Sequence, residues 1–206
     1  MSDKIDLQAM SDQYVDVLME LGNIGAGNAM TALAQMLQCK VDMKVPRVRL
    51  LEFSEVGTAM GGEEQIMAGI YLAVDGDITG SIMFLLEKDS AMHLVGKLMG
   101  MPTSEDGTFS EMEISALQEI GNIITGSYLN SLSAMTGLKI IPSIPALSID
   151  MAGAILSVPA IEFGLIGDNI LMIETQFSDD QEIAGYFILV PDLESYEKIL
   201  TSLGLR

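Results

Sequence analysis

The chain repeats itself, and this repeat constrains the fold more than any other feature of the sequence. The stretch "ELGNIGAGNA" at residues 20–29 returns as "EIGNIITGSY" at residues 119–128. The coinciding residues include Glu20 and Glu119, Gly22 and Gly121, Asn23 and Asn122, Gly27 and Gly126, and Pro46 and Pro145, each pair 99 positions apart. We therefore predict a tandem duplication with repeats of about 1–101 and 102–206. Because one repeat could cover the exposed sheet edge of the other, we expect a single domain.

Each repeat is predicted to contain a long helix, a strand, a hairpin and a shorter helix. The predicted long helices span about 11–38 and 110–136, the shorter helices about 89–99 and 192–203, and the hairpins pair 66–74 with 78–86 and 169–177 with 183–190. The second long helix begins at Ser110, which forms a plausible capping box with Glu113. Together these elements predict an α+β fold with a largely antiparallel central sheet and two long helices related by a pseudo-twofold axis.

The segments that follow the long helices are less regular. A strand is predicted in "KVDMKVPRVRL", where apolar and polar residues alternate from Val41 to Val45 before Pro46 breaks the pattern. The matching segment of the second repeat reads "KIIPSIPALSI". An additional helix is predicted near 150–156, whose counterpart in the first repeat is predicted to be a loop.

The charge balance narrows the choice of partners. Ten Lys and Arg face 29 Asp and Glu, which gives a net charge of −19. Nucleic acids and anionic membrane surfaces are poor partners for such a chain, because both require a basic surface. No apolar run is long enough to span a bilayer and "MSDKIDLQAM" does not resemble a signal peptide, so we expect a cytoplasmic protein.

The scarcity of cysteine and histidine narrows the choice of chemistry. Cys39 and His93 are the only residues of their types. An intramolecular disulfide is therefore excluded, and neither a Cys/His zinc cage nor a Ser-His-Asp apparatus is expected.

A narrow polar stripe runs along each long helix. At about 100° per residue, one face of each helix carries an acid or serine, a Glu, an Asn and a Gly. These residues are Asp16, Glu20, Asn23 and Gly27 in the first helix and Ser115, Glu119, Asn122 and Gly126 in the second. Gly22 and Gly121 point instead towards the buried side, where a missing side chain permits close packing. The outward glycines would leave space beside the Glu and Asn for another molecule.

An exposed Glu–Asn pair on one helix is usually only solvated surface, but its recurrence with an outward glycine favours a functional site. A dinucleotide-binding loop does not fit, because "GNIGAGN" lacks the G-x-G-x-x-G order and follows no strand. A phosphate-binding P-loop does not fit either, since Gly-Lys-Ser/Thr is missing.

Both stripes resemble the [D/S]-x3-E-x2-N-x22-P signature of the CheC/CheX/FliY phosphatases, which act on the phosphorylated chemotaxis response regulator CheY. The first copy runs from Asp16 to Pro46 and the second from Ser115 to Pro145. The resemblance covers essentially the whole chain, and two intact copies are similar to the CheC branch of the family. It implies the same pseudo-symmetric α/β fold.

The resemblance also implies a mechanism. Asn23 and Asn122 would position the water that attacks the aspartyl phosphate of CheY, and Glu20 and Glu119 would anchor the regulator through its active-site lysine. No cofactor of the chain's own is implied, because CheY carries its own Mg²⁺. Asp16 and Ser115 are expected to orient or contact the partner. Pro46 and Pro145 are expected to fix the strand beneath each helix.

Three further interpretations remain open. "IDMAGAI" with Asp150 resembles the segment by which such proteins bind the receptor deamidase CheD, but Asp150 could equally be the N-cap of the following helix. The protein could be a binding module that docks on CheY or CheD with little hydrolysis. A metal site at Asp75 and Asp77 is a third interpretation, although "VDGDIT" is more simply a hairpin turn.

Overall fold

The computed structural model describes residues 12–104, 107–163, 169–178 and 182–204. The helices are α1 (Asp12–Leu37), α2 (Phe53–Ala59), α3 (Lys88–Met99), α4 (Glu111–Thr136), α5 (Ala152–Phe163) and α6 (Leu193–Ser202). The strands are β1 (Asp42–Met43), β2 (Arg47–Glu52), β3 (Ile66–Gly76), β4 (Gly80–Glu87), β5 (Ile140–Pro142), β6 (Ala146–Met151), β7 (Asn169–Ser178) and β8 (Glu182–Pro191). The same order of helices and strands thus occurs first in α1–α3 and again in α4–α6. The start of the first helix at residue 11 and the turn of the second hairpin at 179–181 lie outside the described residues.

One antiparallel sheet contains strands from both halves of the chain. Its main order is β1-β7-β8-β4-β3-β5, with β2 also paired to β7 and β6 also paired to β3. The strands that follow each long helix therefore pair with the hairpin of the other half. The residue after each repeat proline begins such a ladder: Arg47 lies opposite Glu174, and Ala146 lies opposite Tyr71. The predicted α+β fold with an antiparallel sheet is confirmed.

The two central strands, β4 and β8, are equivalent members of the two hairpins. Phe84 lies directly opposite Phe187 in their ladder, and the ring centroids are 4.7 Å apart. This aromatic pair therefore lies where the hairpins of the two halves meet in the middle of the sheet.

Helices cover both faces of the sheet. The larger core cluster joins α1, α3, α4 and α6 to side chains such as Ile82, Phe84 and Leu86. A smaller cluster joins α2 and α5 to the alternate residues Met83 and Leu85. Because both faces are covered, the central strands are apolar at successive positions rather than at every second one.

The long helices have the predicted bounds to within a residue or two where they are described. Ser110 caps α4: its hydroxyl accepts the Glu113 N–H at 3.3 Å, and the Glu113 carboxylate accepts the Ser110 N–H at 2.7 Å. None of the helices in the described ranges is long and apolar enough to cross a membrane.

The strand segment after the first long helix is broken at Pro46, as predicted. β2 begins at Arg47 and pairs with β7 along its whole length. The proline interrupts the ladder only locally, since it lacks the N–H that pairing requires.

The first half also contains a helix where a loop was predicted. The counterpart of α5 is α2, a short helix whose first turn is stabilised by the Glu55 carboxylate, which accepts the Glu52 N–H at 3.1 Å. Helix α5 itself begins at Ala152, and Asp150 belongs to β6. Asp150 is therefore not the N-cap of this helix. Its carboxylate accepts the N–H of the neighbouring Met151 at 2.8 Å.

Candidate functional site

Helices α1 and α4 lie side by side on the larger core and carry the two candidate sites. Their inward glycines contact the sheet as predicted. A Cβ on Gly22 would lie 2.9 Å from Val48 Cγ2 and 3.2 Å from Ile173 Cδ1, and a Cβ on Gly121 would lie 2.5 Å from Ile70 Cγ1. The contacts at 2.9 Å and 2.5 Å are shorter than normal carbon–carbon contacts, so a side chain at either position would force the helix or the contacting side chains of the sheet to shift.

Gly25 is a further packing residue that the repeat did not reveal. A Cβ on Gly25 would lie 2.5 Å from the Tyr128 ring. Tyr128 is fully buried and stacks on Phe187 with a centroid separation of 5.1 Å. The repeat places Ile124, not a glycine, at the position equivalent to Gly25. The only sequence signal was therefore the glycine itself, and its bulky partner on the other helix could not be identified without the fold.

A polar contact also joins the two helices. Asn28 Nδ2 donates a hydrogen bond to Ser131 Oγ at 2.9 Å, and this hydroxyl in turn donates to the Ser127 carbonyl at 2.8 Å. The relative placement of α1 and α4, and hence of the two candidate sites, is fixed by this contact together with the Gly25–Tyr128 packing.

The predicted polar stripes lie on the outer faces of the helices. Asp16 and Glu20 are exposed on α1, as are Ser115, Glu119 and Asn122 on α4. Each Glu precedes its Asn by three residues, a spacing that places side chains next to each other on one helix face. Each site thus presents one carboxylate and one carboxamide side by side. The Ser115 hydroxyl donates to the Glu111 carbonyl at 3.0 Å within its own helix.

The outward glycines leave the surface beside each Asn open. No described atom lies within 4 Å of a Cβ placed on Gly126, and at Gly27 the nearest described atom is Met43 Cε at 3.8 Å. Neither glycine is required for packing, which distinguishes both from Gly22, Gly25 and Gly121. The prediction that they face outward is confirmed.

The two asparagines differ in their surroundings. Asn122 is exposed, whereas Asn23 is half-buried, and its Oδ1 is buried with no hydrogen-bond partner among the described residues. One end of the Asn23 amide is thus enclosed and unsatisfied among the described residues. The second site offers a fully accessible amide, and the first offers only part of one.

The two prolines lie in the bends between the short and long edge strands. Pro46 separates β1 from β2 and is buried, and Pro145 separates β5 from β6 and is half-buried. Val48 lies two residues after Pro46 and contacts the Gly22 position, so this bend runs directly beneath the α1 site. The prolines are placed to support the helices rather than to contact a ligand.

Asp150 lies exposed in β6, opposite Met67 in the β3–β6 ladder and five residues beyond Pro145. Asp75 and Asp77 are used in the predicted turn: Asp75 Oδ1 accepts the Gly76 N–H at 2.8 Å, and Asp77 Oδ2 accepts the Lys139 N–H at 2.7 Å. Within the described ranges no three His, Cys, Asp or Glu side chains converge on a common point.

Two long helices that each carry a Glu, an Asn and an open glycine lie over one antiparallel sheet, so the protein is a mixed α/β protein with two candidate sites. The same fold occurs in FliY from Thermotoga maritima, with a TM-score of 0.75 at 22% identity, covering 95% of this chain and 98% of that one. It also occurs in a chain of the CheX–CheY complex with BeF3 and Mg²⁺ from Borrelia burgdorferi, with a TM-score of 0.55 at 20% identity, covering 83% and 96%.

Sequence comparison then identifies the family. The CheC-like family profile matches residues 15–49 and 112–149, which contain both copies of the signature from the first stripe residue to the proline. The CheY-P phosphatase CheC of Bacillus subtilis (strain 168) is 38% identical over 200 residues, which cover 95% of this chain and 96% of the relative. The chain belongs to the CheC-like family.

Proposed function

We propose that this protein is a phosphatase that hydrolyses the aspartyl phosphate of the chemotaxis response regulator CheY. The observation that carries the proposal is the pair of outward Glu–Asn stripes, each next to an open glycine, in a chain that is 38% identical to a CheY-P phosphatase. An acyl phosphate displayed on another protein requires an exposed catalytic surface rather than a deep cleft, and both stripes are convex helix faces.

The carboxamides of Asn23 and Asn122 position the attacking water. A carboxamide both donates and accepts hydrogen bonds. Its oxygen can accept a hydrogen bond from the water molecule and so hold that water with a lone pair of the water oxygen directed at phosphorus. Because phosphoryl transfer depends mainly on positioning and charge stabilisation, such a contact contributes without a nucleophile from this chain.

The carboxylates of Glu20 and Glu119 anchor the regulator. Each lies one helical turn before its Asn, so a lysine ammonium bound by the Glu is held next to the attacking water. A charge-assisted hydrogen bond in a partly desolvated interface is stronger than a neutral one. Asp16 and Ser115 lie one turn further away and contact the edge of the docked partner.

The remaining signature residues make the surface available. Gly27 and Gly126 leave the regulator room to reach the asparagines, and Pro46 and Pro145 hold the strand bends beneath the helices. The Mg²⁺ that neutralises the phosphoryl charge belongs to the regulator, and this chain contributes no cofactor of its own.

A second candidate function is regulation of the deamidase CheD through the β6–α5 corner. Asp150 is exposed there, and three large apolar residues beside it or on α5 are also exposed, namely Met151, Val158 and Ile161. An acid with exposed apolar neighbours suits a protein partner. Asp150→Arg is expected to abolish CheD binding and to leave hydrolysis by this protein alone unchanged.

The proposed activity is tested by phosphate release from phosphorylated CheY with and without the protein. Asn23→Ala combined with Asn122→Ala should lower the added rate on the order of 10²-fold, as expected for the loss of a positioned polar group in a transition state. Gln35→Ala, an exposed carboxamide elsewhere on α1, is the matched control and should retain full activity. Normal phosphate release by the folded double variant would exclude the asparagine mechanism.

A further inference from the structure

Two aliphatic side chains stand almost fully exposed immediately before the two signature prolines. Val45 is 82% exposed and Ile144 is 88% exposed. They occupy equivalent positions in the two halves, since Val45 precedes Pro46 as Ile144 precedes Pro145. A single exposed apolar residue needs no explanation, but the same feature at the same place in both halves does.

The backbone holds both side chains in their outward positions. The residue before each is tied to the adjacent strand: the Lys44 N–H donates to the Gln176 carbonyl at 2.9 Å, and the Ser143 N–H donates to the Ala73 carbonyl at 2.9 Å. A residue that precedes proline is also restricted to extended conformations. Val45 and Ile144 are thus fixed in place before any partner arrives, which lowers the entropy cost of using them in an interface.

Contacts on either side of Val45 place it beside the first candidate site. Met43 lies next to Gly27, with its Cε 3.8 Å from a Cβ placed there, and Val48 lies next to Gly22. The intervening residues must therefore run along α1 between these two glycines. Asn23 lies in the same interval of the helix, so the segment that carries the exposed Val45 side chain runs alongside the part of α1 that holds Asn23.

Ile144 holds the equivalent position in the second half. Gly121 lies on Ile70, which is the sheet partner of Leu147 in the β3–β6 ladder. Ile144 precedes Leu147 by three residues, as Val45 precedes Val48. The segment that carries Ile144 therefore leads into the strand that lies beside the sheet position beneath Gly121 and its neighbour Asn122.

Charge gives a physical reason for apolar anchors at these sites. The chain has a net charge of −19, and the ligand of each site is an anionic phosphoryl group on another protein. Long-range attraction to the phosphoryl group is therefore absent, and close approach has to be stabilised by short-range contacts. Burial of aliphatic surface acts only at contact and is insensitive to charge.

We propose that Val45 and Ile144 are apolar docking residues for the phosphorylated response regulator, each serving the Glu–Asn pair of its own half. This inference rests on the proposed phosphatase function. It adds a binding element to each site that lies outside the polar stripe and does not touch the reacting atoms.

The test inactivates one site by replacing its Asn and then truncates the docking residue of the other site. Val45→Ala is made together with Asn122→Ala, so that only the first site turns over, and Ile144→Ala is made together with Asn23→Ala. In each case the KM for phosphorylated regulator should rise about five- to twenty-fold, because two or more buried carbons are removed, while kcat stays the same. The conservative changes Val45→Ile and Ile144→Val should retain the parent KM.

Met101→Ala is the matched control, because it also removes an exposed apolar side chain and is 53% exposed in the segment between α3 and α4. Its KM should equal that of the parent. Binding of beryllofluoride-activated regulator should weaken by a similar factor when Val45→Ala and Ile144→Ala are combined in one protein, because both sites then lack their docking residue. An unchanged KM in both docking variants, or an equal rise in the Met101 variant, would overturn the docking role while leaving the phosphatase function intact. If the wild-type protein neither binds nor hydrolyses the phosphorylated regulator, both proposals fail together.

Discussion

Gly22, Gly25 and Gly27 lie within six residues of α1, and each meets different surroundings. Gly22 lies on the sheet, Gly25 on the ring of Tyr128, and Gly27 faces outward with only Met43 Cε close by among the described atoms. A glycine in a helix costs roughly 0.5–1 kcal/mol relative to alanine. At the first two positions close packing compensates for this cost. At the third no packing contact does, which is why Gly27 is assigned to the docking surface.

Alanine substitutions at Gly25 and Gly126 should therefore have opposite effects on stability. Gly25→Ala is expected to lower the free energy of unfolding by about 1–3 kcal/mol, because the new methyl group would overlap the enclosed Tyr128 ring. Gly126→Ala should raise it by about 0.5–1 kcal/mol, because the site is open and alanine favours the helix. Urea unfolding of both variants measures the difference, and a stabilised Gly25 variant would show that the helices are farther apart than described here.

The asparagines should contribute unequally to the rate. The accessible amide of Asn122 can bind water directly, whereas one end of the Asn23 amide is enclosed and has to reorient before it can do so. We expect Asn122→Ala to remove more activity than Asn23→Ala. The two residual rates should add up to roughly the wild-type rate, because each helix carries its own Glu and Asn.

Initial rates well below saturation with one phosphorylated regulator test this expectation. Near-complete loss from either single substitution would indicate one composite site, since residues that act as a unit are strongly non-additive. A larger loss from Asn23→Ala would contradict the role assigned to amide accessibility.

At the scale of elements, local signals predicted the structure wherever they were strong. Both long helices and both hairpins follow from apolar periodicity, the Ser110 cap and turn residues. Helix α2 was missed because "FSEVGTAMGG" is short and rich in glycine, and it is formed largely by packing Val56 and Met60 against the second face of the sheet. The break at Pro46 was predicted from the sequence, whereas the pairing of β2 with β7 of the other half depends on the fold and has no local signal.

The features of the candidate site that depend on a single helix were predictable from the sequence, and those that depend on several elements were not. Helical projection placed both Glu residues, Asn122 and the outward glycines correctly, because an exposed stripe depends only on the helix that carries it. It was wrong for Asn23, which was predicted to be exposed and is half-buried. The Gly25–Tyr128 contact and the enclosed Asn23 oxygen depend on how two helices and the sheet meet. No single stretch of sequence contains that information.

The start of α6 provides a pH-dependent element. Asp192 caps this helix by accepting the Ser195 N–H at 2.7 Å and the Thr79 hydroxyl at 2.8 Å. Partial burial alone would raise the pKa of Asp192, but the hydrogen bonds from Ser195 and Thr79, with the nearby charge of Lys198, hold this pKa below its ordinary value. The folded state therefore favours the ionised carboxylate.

A lowered folded-state pKa means that the stabilisation is present above the ordinary aspartate pKa and is lost as the pH falls through the lowered value. Asp192→Ala should cost about 1 kcal/mol of stability at neutral pH. Asp192→Asn keeps an acceptor oxygen and cannot ionise, so wild type should exceed it in stability at neutral pH and lose that advantage in acid. Thermal unfolding across this range measures the effect, and a constant difference between the two proteins would show that ionisation of Asp192 is not responsible.

At the scale of the whole molecule, the two halves exchange their edge strands. β1 and β2 of the first half pair with β7, β5 and β6 of the second half pair with β3, and β4 pairs with β8 in the middle. The larger core likewise combines α1 and α3 with α4 and α6. Each half therefore completes the sheet and the core of the other, and the two candidate sites keep a fixed relation to each other.

This exchange predicts that neither half folds alone. Residues 1–101 alone would lack β5 and β6, which pair with β3, and β8, which pairs with β4, and α1 would lack its contact with Tyr128. Residues 102–206 alone would lack β1 and β2, which pair with β7, and β4, which pairs with β8. Unpaired edges and exposed apolar surface of this extent are not compatible with a stable domain of that size. Each fragment by itself should show no cooperative thermal transition by circular dichroism, and an equimolar mixture should regain one together with dispersed amide resonances. A cooperative transition in either isolated fragment would mean that the halves are independent domains, and the shared sheet would then be an interface between them rather than the core of one fold.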